Sequence, residues 1–316
     1  MYRWLTVLAA GLLLAGCVSS DEATPNLAER PIRVVATTSM VADLVTVIGG
    51  DRVDVEGLMG PGVDPHLYKA SEGDVTRMAE ADVVFYNGLH LEGRMTELFE
   101  RMADRGTPTV AVAETIAPDR LLDSPDYPSS YDPHVWFDVQ LWAQAARVTR
   151  DALAALDTTH AATYHTNADA YLASLDSLDA FVRAETARIP LNQRVLITSH
   201  DAFGYFGAAY GFEVLGLQGL STATEAGIAD VQQLATTVAE RRIPALFVES
   251  SVSPRGIEAV REAVRARGFE VEIGGRLYSD ALGSPGTEAE TYLGTVRANV
   301  NTIVGALAPP APLALR

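Results

Sequence analysis

Asp-Pro-His occurs twice in this chain, as Asp64-Pro65-His66 and Asp132-Pro133-His134. Each copy carries an aromatic residue two positions on, Tyr68 in one and Trp136 in the other. Proline fixes its own φ and drives the residue before it toward extended backbone, so each histidine leaves a stiff turn. A metal ligand needs that stiffness, because an imidazole held in one orientation loses little freedom on coordination. One such turn would pass for a surface turn that happens to contain histidine. Two of them, in a chain with only six histidines, point to paired ligands, since functional side chains concentrate on constrained loops.

Ligands need a scaffold, and the hydrophobic pattern describes one. Arg33 to Thr38 reads as a strand, and Ser39 as the N-cap of a helix with Met40, Leu44, Val47 and Ile48 on one face, stopped by Gly49-Gly50. A strand over Val53 to Leu58 follows, then a Gly60-Pro61-Gly62 loop that delivers His66, and a helix capped by Ser71. Asp82 to Tyr86 and Thr109 to Val112 are further strands, and 118–133 is a loop rich in proline and aspartate that ends at His134. Alternation at this spacing argues for βαβ units and a parallel sheet.

Leu141 to Leu156 reads as a helix, and a longer one runs over 159–189. Its apolar positions Tyr164, Ala168, Tyr171, Leu175, Leu178 and Val182 form one face. The second half repeats the alternation, with strands at 195–198, 212–215, 245–248 and 269–273 and helices beginning near Gly227, Ser253-Pro254 and Gly286. The first of these strands runs directly into Ser199-His200-Asp201. The expected fold is therefore α/β: two lobes, 31–158 and 190–316, each with a mainly parallel sheet flanked by helices, joined by one long rigid helix. His66, His134 and His200 all fall at or just after strand carboxyl ends, where open α/β sheets bind ligands, so the three can converge on one cleft.

Composition sets the class. With 48% hydrophobic and 21% charged residues the 316-residue chain is globular. Arg3 followed by a short apolar run from Trp4 to Leu14 reads as a secretory signal, too short to span a bilayer. The run ends in Leu14-Ala15-Gly16-Cys17, which resembles the bacterial lipobox. That resemblance implies cleavage after residue 16, lipidation of Cys17, and a polar tether over 17–30. Cys17 is the only cysteine, so an intrachain disulfide is excluded. The formal charge of −17 becomes −18 when Arg3 leaves with the signal. Such a surface disfavours nucleic acid and mildly concentrates cations.

The stretches around His66 and His134, together with Asn87-Gly88-Leu89-His90-Leu91-Glu92, Ser199-His200-Asp201-Ala202-Phe203-Gly204-Tyr205-Phe206 and Leu277-Tyr278-Ser279-Asp280, are similar, in kind and in order, to motifs of the TroA-like metal receptors. These are solute-binding lipoproteins of bacterial ABC importers for manganese and zinc. The resemblance runs from about residue 31 to 306. It implies one divalent transition metal ion, Zn²⁺ or Mn²⁺, held between the lobes by His66, His134, His200 and Asp280. It also implies a monomeric, lipid-anchored receptor outside the cytoplasmic membrane, served by an ABC permease and a separate ATPase. Asp280 is promoted by the family order alone. Three imidazoles and one carboxylate suit four-coordinate Zn²⁺, and a bidentate Asp280 would move the site toward Mn²⁺. Zinc-specialised relatives often carry a histidine-rich loop before the second ligand, and 119–132 has acids but no histidine. Manganese relatives tend to have glutamate where this chain has His200.

Asp64, Asp132 and Asp201 lie within two residues of these histidines and are candidate acceptors for the ring N–H turned away from the metal. For Asp64 and Asp132 a turn-forming role is the simpler expectation. His90 is expected to act only within its own loop. His160 and His165, about 140° apart around the long helix, are expected to be solvated and not a ligand pair. No His-Glu-x-x-His, Gly-x-x-x-x-Gly-Lys or Gly-x-Ser-x-Gly occurs, so the expectation is a receptor and not an enzyme. Two readings compete with it: a zinc hydrolase with three histidines and water in the fourth position, and an envelope adhesin of the cell-adhesion type in which the metal is structural.

Overall fold

A computed structural model describes residues 27–124 and 130–309. The signal segment, Cys17 and most of the tether lie outside the described residues. Among those that are described, no helix is long and apolar enough to cross a membrane.

The first lobe is built on β1 (Ile32–Ala36), α1 (Ser39–Gly49), β2 (Val53–Gly57), α2 (Glu72–Glu80), β3 (Val83–Tyr86), α3 (Thr96–Asp104) and β4 (Thr109–Ala111). Its four strands form a parallel sheet in the order β2-β1-β3-β4. Ser71 caps α2 through a reciprocal capping box with Asp74. At α1 the cap is Thr38, whose side chain accepts from the Val41 N–H, one residue before the expected Ser39. Ser39 instead accepts the Leu282 N–H at 2.9 Å from the other end of the chain. A hydroxyl serves an N-cap or a distant partner equally well, so local sequence does not separate the two.

Two helices follow, α4 (Val139–Leu156) and the 26-residue α5 (Ala161–Thr186), with a 3-10 turn at Thr158–His160 between them. At 1.5 Å per residue α5 is about 39 Å long. Tyr164, Ala168, Tyr171, Leu175, Leu178 and Val182 are all buried on it, as the spacing predicts. His160 is only partly solvated. Its Nδ1 lies 2.8 Å from Asp157 Oδ2, in a cluster with Tyr164 and Arg52 that ties the start of α5 to the first lobe. His165 is exposed.

The second lobe runs β5 (Val195–His200), α6 (Gly204–Tyr210), β6 (Glu213–Gln218), α7 (Ile228–Arg241), β7 (Ala245–Glu249), α8 (Arg255–Arg265), β8 (Glu272–Leu277) and α9 (Tyr292–Leu307). Its strands pair in parallel as β5-β6 and β7-β8. Sequence places β8 too early because Gly274-Gly275 reads as a strand end. The strand continues through the pair with a register shift opposite Leu246/Phe247. A Cβ on Gly274 would meet the Phe247 ring, and Gly275 sits at φ +148, so both positions exclude side chains. The last helix begins at Tyr292, capped by Thr291, after a 3-10 turn at Glu288–Glu290; an N-cap hydroxyl nearer the apolar periodicity outcompetes the glycine at 286.

One continuous apolar cluster runs from Val34 and Leu44 through Trp142, Leu175 and Leu178 to Phe203, Val300 and Ile303, so the lobes share a core. Trp142 on α4 is fully buried and stacks on Tyr292 of α9, with ring centroids 5.2 Å apart. Trp142→Ala is expected to cost about 3–5 kcal/mol, measurable by urea unfolding. A loss below about 1 kcal/mol would mean the halves do not unfold as one unit.

Candidate metal centre

Backbone geometry delivers four side chains to one point. His66 leaves the loop after β2, where its N–H donates to Asp64 Oδ1 at 2.9 Å. His134 leaves the matching turn, its N–H donating to Asp132 Oδ1 at 2.9 Å. His200 is the last residue of β5, and Asp280 stands three residues past the end of β8. Each turn uses the aspartate before proline to fix the amide two residues on, which is why the same tripeptide recurs.

The four side chains lie with one ligand atom each within 4.8 Å of one another, and all are buried: His66 is 7% exposed, Asp280 1%, His134 and His200 not at all. His66 Nε2 faces His134 Nε2 at 3.3 Å, His200 Nε2 lies 3.2 Å from Asp280 Oδ2, and His134 Nε2 lies 3.5 Å from Asp280 Oδ1. A fourth edge, His66 Nε2 to Asp280 Oδ2, is 3.9 Å. Four donors at bonds of 2.0–2.1 Å around a tetrahedral ion sit about 3.3 Å apart, close to this set. The rings stand tilted or edge-on to one another, with centroids 5.3, 5.4 and 5.8 Å apart, so three nitrogens aim inward without the rings colliding. Oδ1 of Asp280 is buried and makes no hydrogen bond among the described residues. Buried polar atoms are ordinarily satisfied, so a cation is the partner that this donor set fits. Both Asp280 oxygens face imidazoles, which leaves one- or two-oxygen coordination open.

A family profile described as "ZnuA: Zinc-uptake complex component A periplasmic" matches residues 34–306. The zinc-binding protein TroA of Treponema pallidum is 47% identical over 303 residues, covering 96% of this chain and 97% of that one. The chain belongs to the ZnuA family. The manganese-binding lipoprotein MntA of Bacillus subtilis is also 47% identical, over 95% of this chain and 97% of that relative. The solved structure of the periplasmic zinc-binding protein TroA from Treponema pallidum superposes with a TM-score of 0.85, covering 88% of this chain and all of that one, at 48% identity. Equal identity to a zinc binder and a manganese binder means that overall similarity does not choose between the two ions.

Around the ZnuA-family site, two rings are backed by carboxylates. His134 Nδ1 lies 2.7 Å from Asp132 Oδ1, so Asp132 both shapes the turn and orients the ring. Asp64 performs only the turn; its other oxygen accepts the Thr222 hydroxyl at 2.5 Å from the opposite lobe. Behind His200 stands Glu249, not Asp201. Its Oε2 is 2.5 Å from His200 Nδ1, and its Oε1 accepts the His200 N–H at 2.9 Å. Sequence adjacency hid this pairing, because β5 and β7 are neighbours in space and 49 residues apart along the chain. The signal available was a glutamate ending the apolar strand Ala245-Leu246-Phe247-Val248.

Electrostatics separates the rings. Burial drives the His66 ring down to about 3, against the pull of Asp280, with His134 and His200 pushing the same way as burial. Burial also opposes charge on His200, but Asp280 and Glu249 beside it outweigh that and raise it well above the usual imidazole value. For Asp280, burial pushes up and His200, followed by the other two imidazoles, pulls harder, holding the carboxyl well below its usual range.

Hydrogen bonds stitch the ligand loops together across the lobes. Trp136, packed edge-on to His134, donates from Nε1 to the Ser279 carbonyl at 3.0 Å, directly beside Asp280. Tyr292 donates to the Trp136 carbonyl and Tyr205 to the Asp132 carbonyl. Asn87 donates to the Pro133 carbonyl, and the buried Glu92 accepts from Thr37 and from the Asn87 and Gly88 amides. His90 is not among the four; it sits exposed in that loop at φ 64.

Proposed function

We propose that this chain is the extracytoplasmic receptor of an ABC importer. It captures one divalent transition metal, Zn²⁺ or Mn²⁺, with His66, His134, His200 and Asp280 as ligands, and delivers it to a permease driven by a separate ATPase. Residues 31–158 and 190–316 are the lobes, 159–189 the connection between them, and Cys17 the lipid attachment of a monomer. The observation that carries this reading is the buried set of three imidazoles and one carboxylate at coordination-polyhedron spacing. Two ligands come from each lobe, so a small relative displacement opens the shell. The shared core and the interlobe hydrogen bonds oppose a wide hinge.

Asp280 favours a receptor over a hydrolase. It stands where a catalytic zinc keeps water, completing the shell that a hydrolase must leave open. Zinc is expected to outcompete manganese in vitro whichever ion is the natural cargo, because nitrogen-rich sites follow the Irving–Williams order.

Metal analysis of protein purified without chelator is the direct test, and the expected stoichiometry is one ion per chain. Saturating metal, at about a thousand times Kd, is expected to add about 4 kcal/mol to the unfolding free energy. Chelation should leave a folded protein with a single cooperative transition, since the apolar core does not depend on the ion. Unfolding on chelation would instead favour a structural metal, as in the adhesin reading.

A further inference from the structure

Of the four side chains at the centre, His66 alone lines a cavity that opens between the lobes, bounded on the first lobe by His90 and Arg94 and on the second by Leu220 and Ser221. Its volume is about 390 Å³. That is within the range of cavities that hold small ligands.

Its charge is the opposite of what a bare cation would want. On a chain of formal charge −17, no carboxylate lines this cavity among the described residues. The groups that do are the Arg94 guanidinium, the imidazoles of His66 and His90, and the hydroxyls of Ser130, Tyr131 and Ser221. Arg94 is exposed. A guanidinium with the His90 imidazole and hydroxyls around it matches carboxylate oxygens.

The backbone is bent to keep this arrangement. Leu89 and His90 are consecutive non-glycine residues in the left-handed region, at φ 53 and 64, a conformation that costs energy and persists only where its surroundings impose it. Next to it the buried Glu92 carboxylate gathers the Asn87 and Gly88 amides, and the same loop carries Arg94 to the cavity wall.

We infer that the cavity beside His66 is a binding site for a small carboxylate, held by Arg94 and His90, so that the receptor carries an organic acid or amino acid together with the metal. This rests on the receptor reading. The carboxylate occupies the cavity while the cation sits among the four ligands, and the pair forms a ternary complex with the protein. No covalent step is involved.

The test uses the full chain, loaded with one equivalent of Zn²⁺, in equilibrium dialysis against labelled citrate, malate or histidine. At least one of these is expected to be retained at one per chain, with the zinc still bound. Arg94→Glu is expected to weaken that retention by at least about tenfold, the size of a charge-assisted hydrogen bond, while zinc affinity measured without chelator stays unchanged. His90→Gly, which removes the imidazole and the strain together, is expected to weaken it as well. Retention of none of the three, retention equal in Arg94→Glu and the parent, or loss of zinc to the chelator would each overturn the proposal. Failure to bind zinc at all in chelator-free solution would instead sink the receptor reading, so the two failures are separable.

Discussion

Asp280→Asn is expected to weaken Zn²⁺ binding by two to three powers of ten, beyond the ten- to hundredfold typical of losing an outer hydrogen-bond partner. The substitution keeps the shape of the side chain and removes its charge, so the loss reports electrostatics and not packing. Asp280 is the only anionic member of the four, and both its oxygens face imidazole nitrogens at 3.2 to 3.9 Å. Without it, three neutral rings hold a dication in a buried site, and the nearest charge compensation retreats to Asp132 and Glu249 behind the rings. Titration against a chelating dye of known affinity reads the effect. An affinity within about threefold of the parent, under 1 kcal/mol, would mean that Asp280 is not a ligand. It would also restore the hydrolase reading, in which water takes that position.

That residue also marks where the sequence stopped being informative. His66 and His134 could be read locally, because an aspartate-proline turn stiffens the histidine beside it and the tripeptide occurs twice. His200 could be read from its place at the end of an apolar strand. Asp280 lies in a loop with no distinguishing neighbour, and only the order of motifs along the chain singled it out. The alternating strands and the α5 face were legible because burial imposes a period on the residues. The cap at Thr38, the register shift at Gly274-Gly275 and the late start of α9 were not, because each is decided by a contact made elsewhere in the fold. Glu249 belongs with these: its role depends on β5 lying next to β7, a fact of tertiary structure.

Glu249 supplies the second large expected effect, on the pH dependence of capture. In the metal-free protein Asp280 and Glu249 overcome burial and raise His200 well above the ordinary imidazole value, which favours its protonated form. Metal must expel that proton. Affinity is therefore expected to rise about tenfold per pH unit from about pH 6 upward, flattening only once pH passes the raised value of His200. His66, driven down to about 3, adds no slope in this range. The stability of the metal-free protein runs the other way. The contribution of the His200 proton is complete below the ordinary imidazole value and is lost as pH rises through the raised one. The contribution of the depressed Asp280 carboxyl is present above its ordinary value and is lost only on acidification through its lowered one. Stabilisation by metal should then be larger at pH 8 than at pH 6. Glu249→Gln removes one of the two charges that hold the proton, and burial then lowers His200. The steep region is expected to move to lower pH, and limiting affinity at high pH to fall by about ten- to hundredfold as the ring loses its anionic support. Zinc titrations from pH 6 to 8.5, with proton release followed by calorimetry in buffers of differing ionisation enthalpy, measure both. A flat profile for the parent chain would show that His200 binds metal without displacing a proton, and an unchanged profile for Glu249→Gln would show that Asp280 alone sets the charge on that ring.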